Sequence, residues 1–364
     1  MVPFFDVARM HQPLLDELTD AFHRVVGHGR FILGPEVEAF EKGFASHIGV
    51  DHAIGVSSGT DALLAVLMAL DVGPGDEVIV PTLTFFATAG AVARLGATPV
   101  FVDVDEDTLL MDTDQALAAV SPRTRAIIPV QLFGQCVSLP MLASSGVPLI
   151  EDAAQSHAAR DERGVPCGAQ GFAGCFSFFP TKPLGGLGDG GMVTTNDEAF
   201  ADRVRLLRTH GARPKFHHIA VGGNFRLDAL QAALLHVKLC WMEEWAVVRR
   251  RIHQRYVELL APAVKSGDIQ FLGEAPGTHV YHQHVVRVQQ RDRLRSGLRA
   301  KGIGTALYYP EPLHTQPCFT ALNPPALPIA ERACSEVLAL PCFPGLREDE
   351  IAEVANAMCS FFGV

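Results

Sequence analysis

Ala53-Ile-Gly-Val56, Asp61-Ala-Leu-Leu-Ala-Val-Leu-Met-Ala-Leu70 and Glu77-Val-Ile-Val80 read as a short apolar strand, an amphipathic helical segment and a second apolar strand. The same alternation continues outward through Phe85–Leu95, Pro99–Val102, Asp114–Val120, Arg125–Val130 and Pro148–Ile150. Short apolar strands separated by helix-length segments predict an α/β fold with a mostly parallel sheet covered on both faces. Ligands of such sheets gather at the carboxyl ends of the strands. Further on, apolar positions at helical spacing predict one long helix from Leu227 to Leu260. It would join a large domain, residues 1–240 with the N-terminal segment, to a smaller α+β domain, residues 241–364. In the latter, Val280–Val288 alternates like a strand, Arg291–Lys301 reads as a helix, and prolines between Tyr309 and Pro328 mark a loop returning toward the site.

With 364 residues and 48% hydrophobic content, the chain can bury a large core. Its net charge of −10 disfavours nucleic acid as a partner, and the Arg249–Arg251 triplet reads as a solvated helix face. Residues Ala126–Ile150 carry no charge, but Pro129, Pro140, Pro148, Gln131 and Gln135 break the run, so it is not read as a membrane helix. No secretion signal is visible at the N-terminus, and the eight cysteines show no Cys-x-x-Cys pair. A reduced, cytoplasmic protein is expected.

Three patterns compete for attention. Gly55-Val-Ser57-Ser-Gly59 fits a nucleophile elbow, which would make Ser57 the nucleophile of an α/β-hydrolase with Asp152 and His314 as partners. The same strand–turn–helix geometry equally offers free N–H groups to a phosphate. Gly186-Leu-Gly188-Asp-Gly-Gly191 fits the dinucleotide fingerprint, but strand-like Met192-Val-Thr-Thr195 follows where a helix is required, which argues against a Rossmann dehydrogenase. His217-His218 and His282-Gln-His284 could suggest a metal, yet no acidic or cysteine ligand accompanies either pair at a recognisable spacing, and no metal site is expected.

A different constellation is more coherent. Ile150-Glu151-Asp152-Ala153-Ala154-Gln155 ends an apolar strand with two acids, placing Asp152 near the carboxyl edge of the sheet. Ser177-Phe-Phe-Pro-Thr181-Lys182 sets a hydroxyl five residues before an amine, and Ser58-Gly59-Thr60 lies upstream at a helix start. A lysine for a Schiff base, a carboxylate for a pyridine nitrogen, a phosphate cup and an aromatic ring are what pyridoxal-phosphate chemistry needs.

With Gly29-Arg-Phe31-Ile-Leu-Gly34-Pro, Thr84-Phe85-Phe-Ala-Thr88, Gly188-Asp-Gly-Gly191, Asn224-Phe-Arg226, Gln231-Ala-Ala and Tyr308-Tyr309-Pro310, these segments resemble the DegT/DnrJ/EryC1/StrS family of sugar aminotransferases. The resemblance covers nearly the whole chain. It implies the PLP fold type I, with Lys182 carrying the cofactor and shuttling protons and Asp152 on the ring nitrogen. It further implies Gly59, Thr60 and Ser177 on the phosphate, Phe85 stacked on the ring, Gln155 near its phenolic oxygen, and Asn224 reaching the phosphate from the neighbouring subunit of a homodimer. Gly29, Phe31, Thr181, Arg226, Tyr308 and Tyr309 match substrate-facing positions, although relatives often have His-Tyr at the last pair and Glu where Asp189 stands. The implied reaction moves an amino group from glutamate to a keto sugar linked to UDP or dTDP, at the 3-keto position. A 4-keto sugar, a cyclitol ketone and a non-enzymatic PLP-binding regulator are the alternatives.

Overall fold

The structure, a computed structural model, describes residues 1–364. Ten strands follow in chain order: β1 (His52–Val56), β2 (Glu77–Pro81), β3 (Thr98–Val102), β4 (Thr124–Ile127), β5 (Ile150–Asp152), β6 (Ala173–Ser177), β7 (Gly191–Thr195), β8 (Ile269–Phe271), β9 (His284–Val288) and β10 (Val337–Leu340). β2 pairs in parallel with β3 and β4, and β5 in parallel with β6. Parallel bridges Ile127↔Leu149 and Val130↔Asp152 join β4 to β5. One seven-stranded sheet results, in the order β1-β7-β6-β5-β4-β2-β3, with β7 alone antiparallel to its neighbours. The mostly parallel sheet read from the sequence is therefore present. Its central strands β2 and β7 are buried along their whole length, as a sheet covered on both sides requires. The uncharged stretch 126–150 is divided among β4, a 3-10 turn, the helix Leu139–Ala143 and the start of β5.

β8, β9 and β10 form a second, antiparallel sheet in the order β10-β9-β8. The first residues cross to this half: Val2 bridges to Ile303, and Arg9 pairs with Glu350 at 2.7 Å.

Two expectations for the long helix need correction. Leu227–Leu260 is two helices, Ala229–Leu239 and Met242–Leu259. Between them the Trp241 N–H bonds to the Lys238 carbonyl three residues back, which interrupts the helical ladder while the apolar spacing runs on across the break. The Arg249–Arg251 triplet is not wholly a solvated face either: Arg251 is exposed and Arg250 half-buried, but Arg249 turns inward. Arg249 sits on the stripe of Met242, Trp245, Ala246, Ile252 and Tyr256 that faces the core, and it is 1% exposed.

Candidate active site

The carboxyl ends of β5 and β6, the start of the helix Gly59–Ala69 and the C-terminal half meet around a cavity of about 360 Å³. Alternation along β5 separates the two acids that the sequence set side by side. Glu151 points away from the cavity and accepts the N–H groups of Gly168, Gln170 and Gly171 at 2.8–2.9 Å, fixing the loop before β6. Asp152 lines the cavity. Its Oδ2 accepts the Thr88 hydroxyl at 2.8 Å and its Oδ1 the Ala154 N–H at 3.3 Å. Burial pushes this carboxyl up, opposed by the Thr88 hydrogen bond, the Lys182 charge and the Ala154 N–H. A cation arriving in the cavity would hold it ionised.

Lys182 lies in the tight loop after β6, where its N–H bonds to the Phe179 carbonyl at 2.8 Å. Its amine lines the cavity, and burial brings it down to about 8 against the upward pull of Asp152. A neutral amine is thus within reach near neutral pH.

The far end of the cavity is built for an anion. Ser58 caps the helix Gly59–Ala69 by accepting the Asp61 N–H at 3.0 Å. The first turn leaves the Gly59 and Thr60 N–H groups with no helical acceptor. Ser177 stands against this turn so closely that a Cβ on Gly59 would lie 2.6 Å from the Ser177 Cβ. Only glycine lets the helix start approach the strand end, and three donors then converge. Phe85 lines the cavity with its ring 57% exposed. Gln155 accepts the Phe133 N–H at 2.9 Å and donates to the Tyr309 hydroxyl at 3.2 Å.

Of the predicted site residues, Gly59, Thr60, Phe85, Asp152, Gln155, Ser177, Thr181, Lys182, Tyr308 and Tyr309 line this one cavity. Asn224 and Arg226 do not. They line an adjoining open recess of about 510 Å³ with Ile32, Ser57, Asp228 and Gln231, and Asp189 borders both spaces. Phe31 and Gly29 belong to neither lining; Gly29 ends the helix Leu15–His28 with a left-handed φ of 68°. Sequence reasoning missed Thr88, whose hydroxyl orients Asp152 from the first turn of the helix Ala87–Arg94. It also missed His282 and Gln283 as cavity residues. His282 and His284 do not share a face: His282 lines the cavity while His284 contacts His253 at 3.1 Å, because the chain bends at residues 282–283 and β9 begins only at His284.

The hydrolase alternative fails on geometry. Ser57 donates to Asp61 at 2.6 Å, while His314 is engaged by Thr82 and Glu331 at 2.7 and 3.1 Å, and no hydrogen bond links Ser57, His314 and Asp152. The glycines of 186–191 lead into β7, so they form no dinucleotide turn.

The donor set fits pyridoxal phosphate: a three-donor cradle, an aromatic face, a buried carboxylate and an amine around one cavity. Comparisons with known proteins agree. The family model for the DegT/DnrJ/EryC1/StrS aminotransferase family matches residues 14–359. A protein of Geobacillus stearothermophilus named pleiotropic regulatory protein is 43% identical over 99% of this chain and 98% of its own length. The UDP-N-acetyl-3-dehydro-alpha-D-glucosamine 3-aminotransferase of Acidithiobacillus ferrooxidans is 43% identical over 98% of this chain and 97% of its own. DesV of S. venezuelae, solved in complex with a ketimine intermediate, superimposes with a TM-score of 0.95 at 41% identity, over 99% of this chain and 98% of that one.

Proposed function

The chain belongs to the DegT/DnrJ/EryC1/StrS aminotransferase family, and from that premise we propose that it moves an amino group from glutamate to the 3-keto position of a UDP- or dTDP-linked sugar, with pyridoxal 5′-phosphate as cofactor. The observation that carries this reading is the meeting of Lys182, Asp152 and the Gly59–Thr60–Ser177 cradle around one cavity. Similarity to an aminotransferase named for a UDP-linked 3-dehydro sugar supports the acceptor class.

Pyridoxal phosphate, when bound, supplies an electron sink for the carbanion at the substrate carbon. The chain supplies the rest. Gly59, Thr60 and Ser177 would hold the phosphate, and Asp152, oriented by Thr88, would pair with the ring nitrogen and favour its protonated form. Phe85 would pack on the ring, and Gln155, fixed by the Phe133 N–H and Tyr309, would reach its oxygen. Lys182 Nζ takes the proton from the donor's α-carbon and returns one to the acceptor carbon, which requires a neutral amine. Thr181, Tyr308 and Tyr309 would face the sugar from the cavity wall, and Gly29 and Phe31 keep the substrate-facing role that the family resemblance implies.

Asn224 and Arg226 border an open recess, where the Arg226 Nε is buried without a partner. In this reading a second copy of the chain completes the site, with Asn224 of each copy serving the phosphate held by the other. The division at residues 240/241 and a cytoplasmic location, suggested by eight free thiols, belong to the same reading. A cofactor-binding regulator is disfavoured, despite the name of the Geobacillus relative, because the acid–base lysine, its carboxylate and room for a substrate are all present.

The test is a panel of nucleotide-linked 3-keto and 4-keto sugars offered with glutamate, with amine formation read by mass. Amination of a 3-keto member is expected. Amination confined to a 4-keto sugar would move the position of transfer, and turnover on none would return the cyclitol and regulator alternatives.

A further inference from the structure

Lys182 is not the only lysine withdrawn from water. Lys238, in the last turn of the helix Ala229–Leu239, is 1% exposed, and its ammonium has no carboxylate partner. It donates instead to the Gly185 carbonyl and to the His11 Nε2, the latter at 2.6 Å, with the Trp245 ring 6.0 Å away. Withdrawing an amine from water is costly whether it stays charged or gives up its proton, so a position that keeps one invites a structural reason.

That reason lies in what Gly185 belongs to. Residues 178–186 fold back on themselves through the hydrogen bonds Lys182 N–H to Phe179 carbonyl and Gly186 N–H to Phe178 carbonyl, at 2.8 and 2.7 Å. Gly185 is pressed so hard onto this turn that a Cβ there would lie 2.3 Å from the Pro180 oxygen. The same helix holds the loop at a second point: Gln231 accepts the Leu187 N–H at 2.9 Å. Gln231 and Lys238 are seven residues apart, two turns along one helix face. One rigid helix therefore grips the loop just after Lys182 at two backbone positions, and His11 ties the outer grip to the N-terminal helix.

We propose that Lys238 is a positioning residue for the reaction: with Gln231 and His11 it clamps the loop that carries Lys182, holding the Lys182 amine in register with Asp152 and the anion cradle. Lys238 touches neither cavity nor substrate; it acts through the Gly185 carbonyl. The inference rests on the role given to Lys182 above.

The test uses the holoenzyme with Lys238→Met, which keeps the stem's packing and removes the donors. Amide exchange across residues 180–188 should quicken about tenfold while β6 and β7 keep their protection. Displacing the amine by a fraction of an ångström should lower kcat about tenfold with KM within about twofold. His11→Leu should move both readouts in the same direction by less, and His11→Gln, which keeps an acceptor, should restore them. The His11 pair decides the matter should Lys238→Met fail to fold. Unchanged exchange at 180–188 in Lys238→Met, or in His11→Leu, overturns the inference. So does a rise spread evenly over the sheet, which would make Lys238 a general stability residue. Faster exchange confined to the loop, with kcat unchanged, would retain the clamp but deny it the positioning role and so overturns the proposal too. If Lys182 were instead the wrong lysine, chemical tagging would locate another residue while loop exchange still answered to Lys238, so the two failures can be told apart.

Discussion

Two lysines withdrawn from water sit at opposite ends of one loop–helix contact, Lys238 buried and Lys182 half-buried at the cavity wall, and loss of solvent lowers both. Lys182 is brought down to about 8 and Lys238 to about 7. Their surroundings differ in every other respect. Lys182 faces a cavity that also contains a carboxylate, an aromatic ring and free backbone donors, and no hydrogen-bond partner engages its amine. Lys238 donates to a carbonyl and an imidazole and lines neither the cavity nor the recess. A depressed amine is therefore a sign of burial alone, and access to a cavity with complementary chemistry is what distinguishes a reacting group from a structural one.

The largest expected effect separates the two directly. Lys182→Ala should lower transamination by at least about 10⁴-fold, the upper range for a lost acid–base group, far beyond the loss expected for Lys238→Met. Steady-state assay of both variants checks this. Asp152→Asn comes next. A neutral amide cannot keep the ring nitrogen protonated, and a loss of about 3 kcal/mol in transition-state stabilisation is roughly 150-fold in rate. Binding of the cofactor should persist, which absorbance can follow.

The pH profile sharpens the comparison further. In the proposed reaction Lys182 acts as a neutral amine, so the donor half-reaction should rise with pH and level off above about 8. Below that value it should fall about tenfold per pH unit, as the neutral fraction does. A rise centred near 7 and abolished in Lys238→Met would instead tie the proton to Lys238.

A smaller effect probes the boundary between the cavity and the open recess. Lys182→Ala and Arg226→Ala chains, nearly inactive alone, should recover about a quarter of wild-type activity when refolded together. Random pairing makes about half the dimers mixed, each with one intact site. No recovery would place Lys182 and Arg226 of the same chain in one site.

The smallest effect concerns stability. His157 is wholly buried with both ring nitrogens unpartnered, and burial lowers it to about 3. Unfolded, it would titrate near 6.5 and bind a proton that the folded chain refuses. Stability should therefore fall below pH 6.5 by about 1.4 kcal/mol per pH unit from this group. Denaturant titration of His157→Gln should show a shallower slope.

What was legible in the sequence is what local chemistry fixes. β1, β2 and β3 and the intervening helices appear within a residue or two of their expected places because each is a run bounded by its own turn residues. Asp152, Ser177 and Lys182 stood out as a constellation at strand ends, and the resemblance to the family supplied their roles. The rest depended on packing between distant segments. Nothing near Arg249 says that its helix face turns inward, and the Arg triplet looks like any solvated one. Thr88 matters only because its helix delivers it to Asp152, 64 residues on. Lys238 reads as an ordinary helix residue until His11 and Gly185 are brought to it across 227 and 53 residues.

The central claim, that Lys182 is the residue that holds the cofactor, is tested most directly by borohydride reduction of the purified protein, expected to be yellow, followed by peptide mapping. The cofactor should be fixed to the peptide containing Lys182 and to no other, and Lys182→Ala should lose both colour and label. A label on Lys238, or on any lysine outside the cavity, would contradict it.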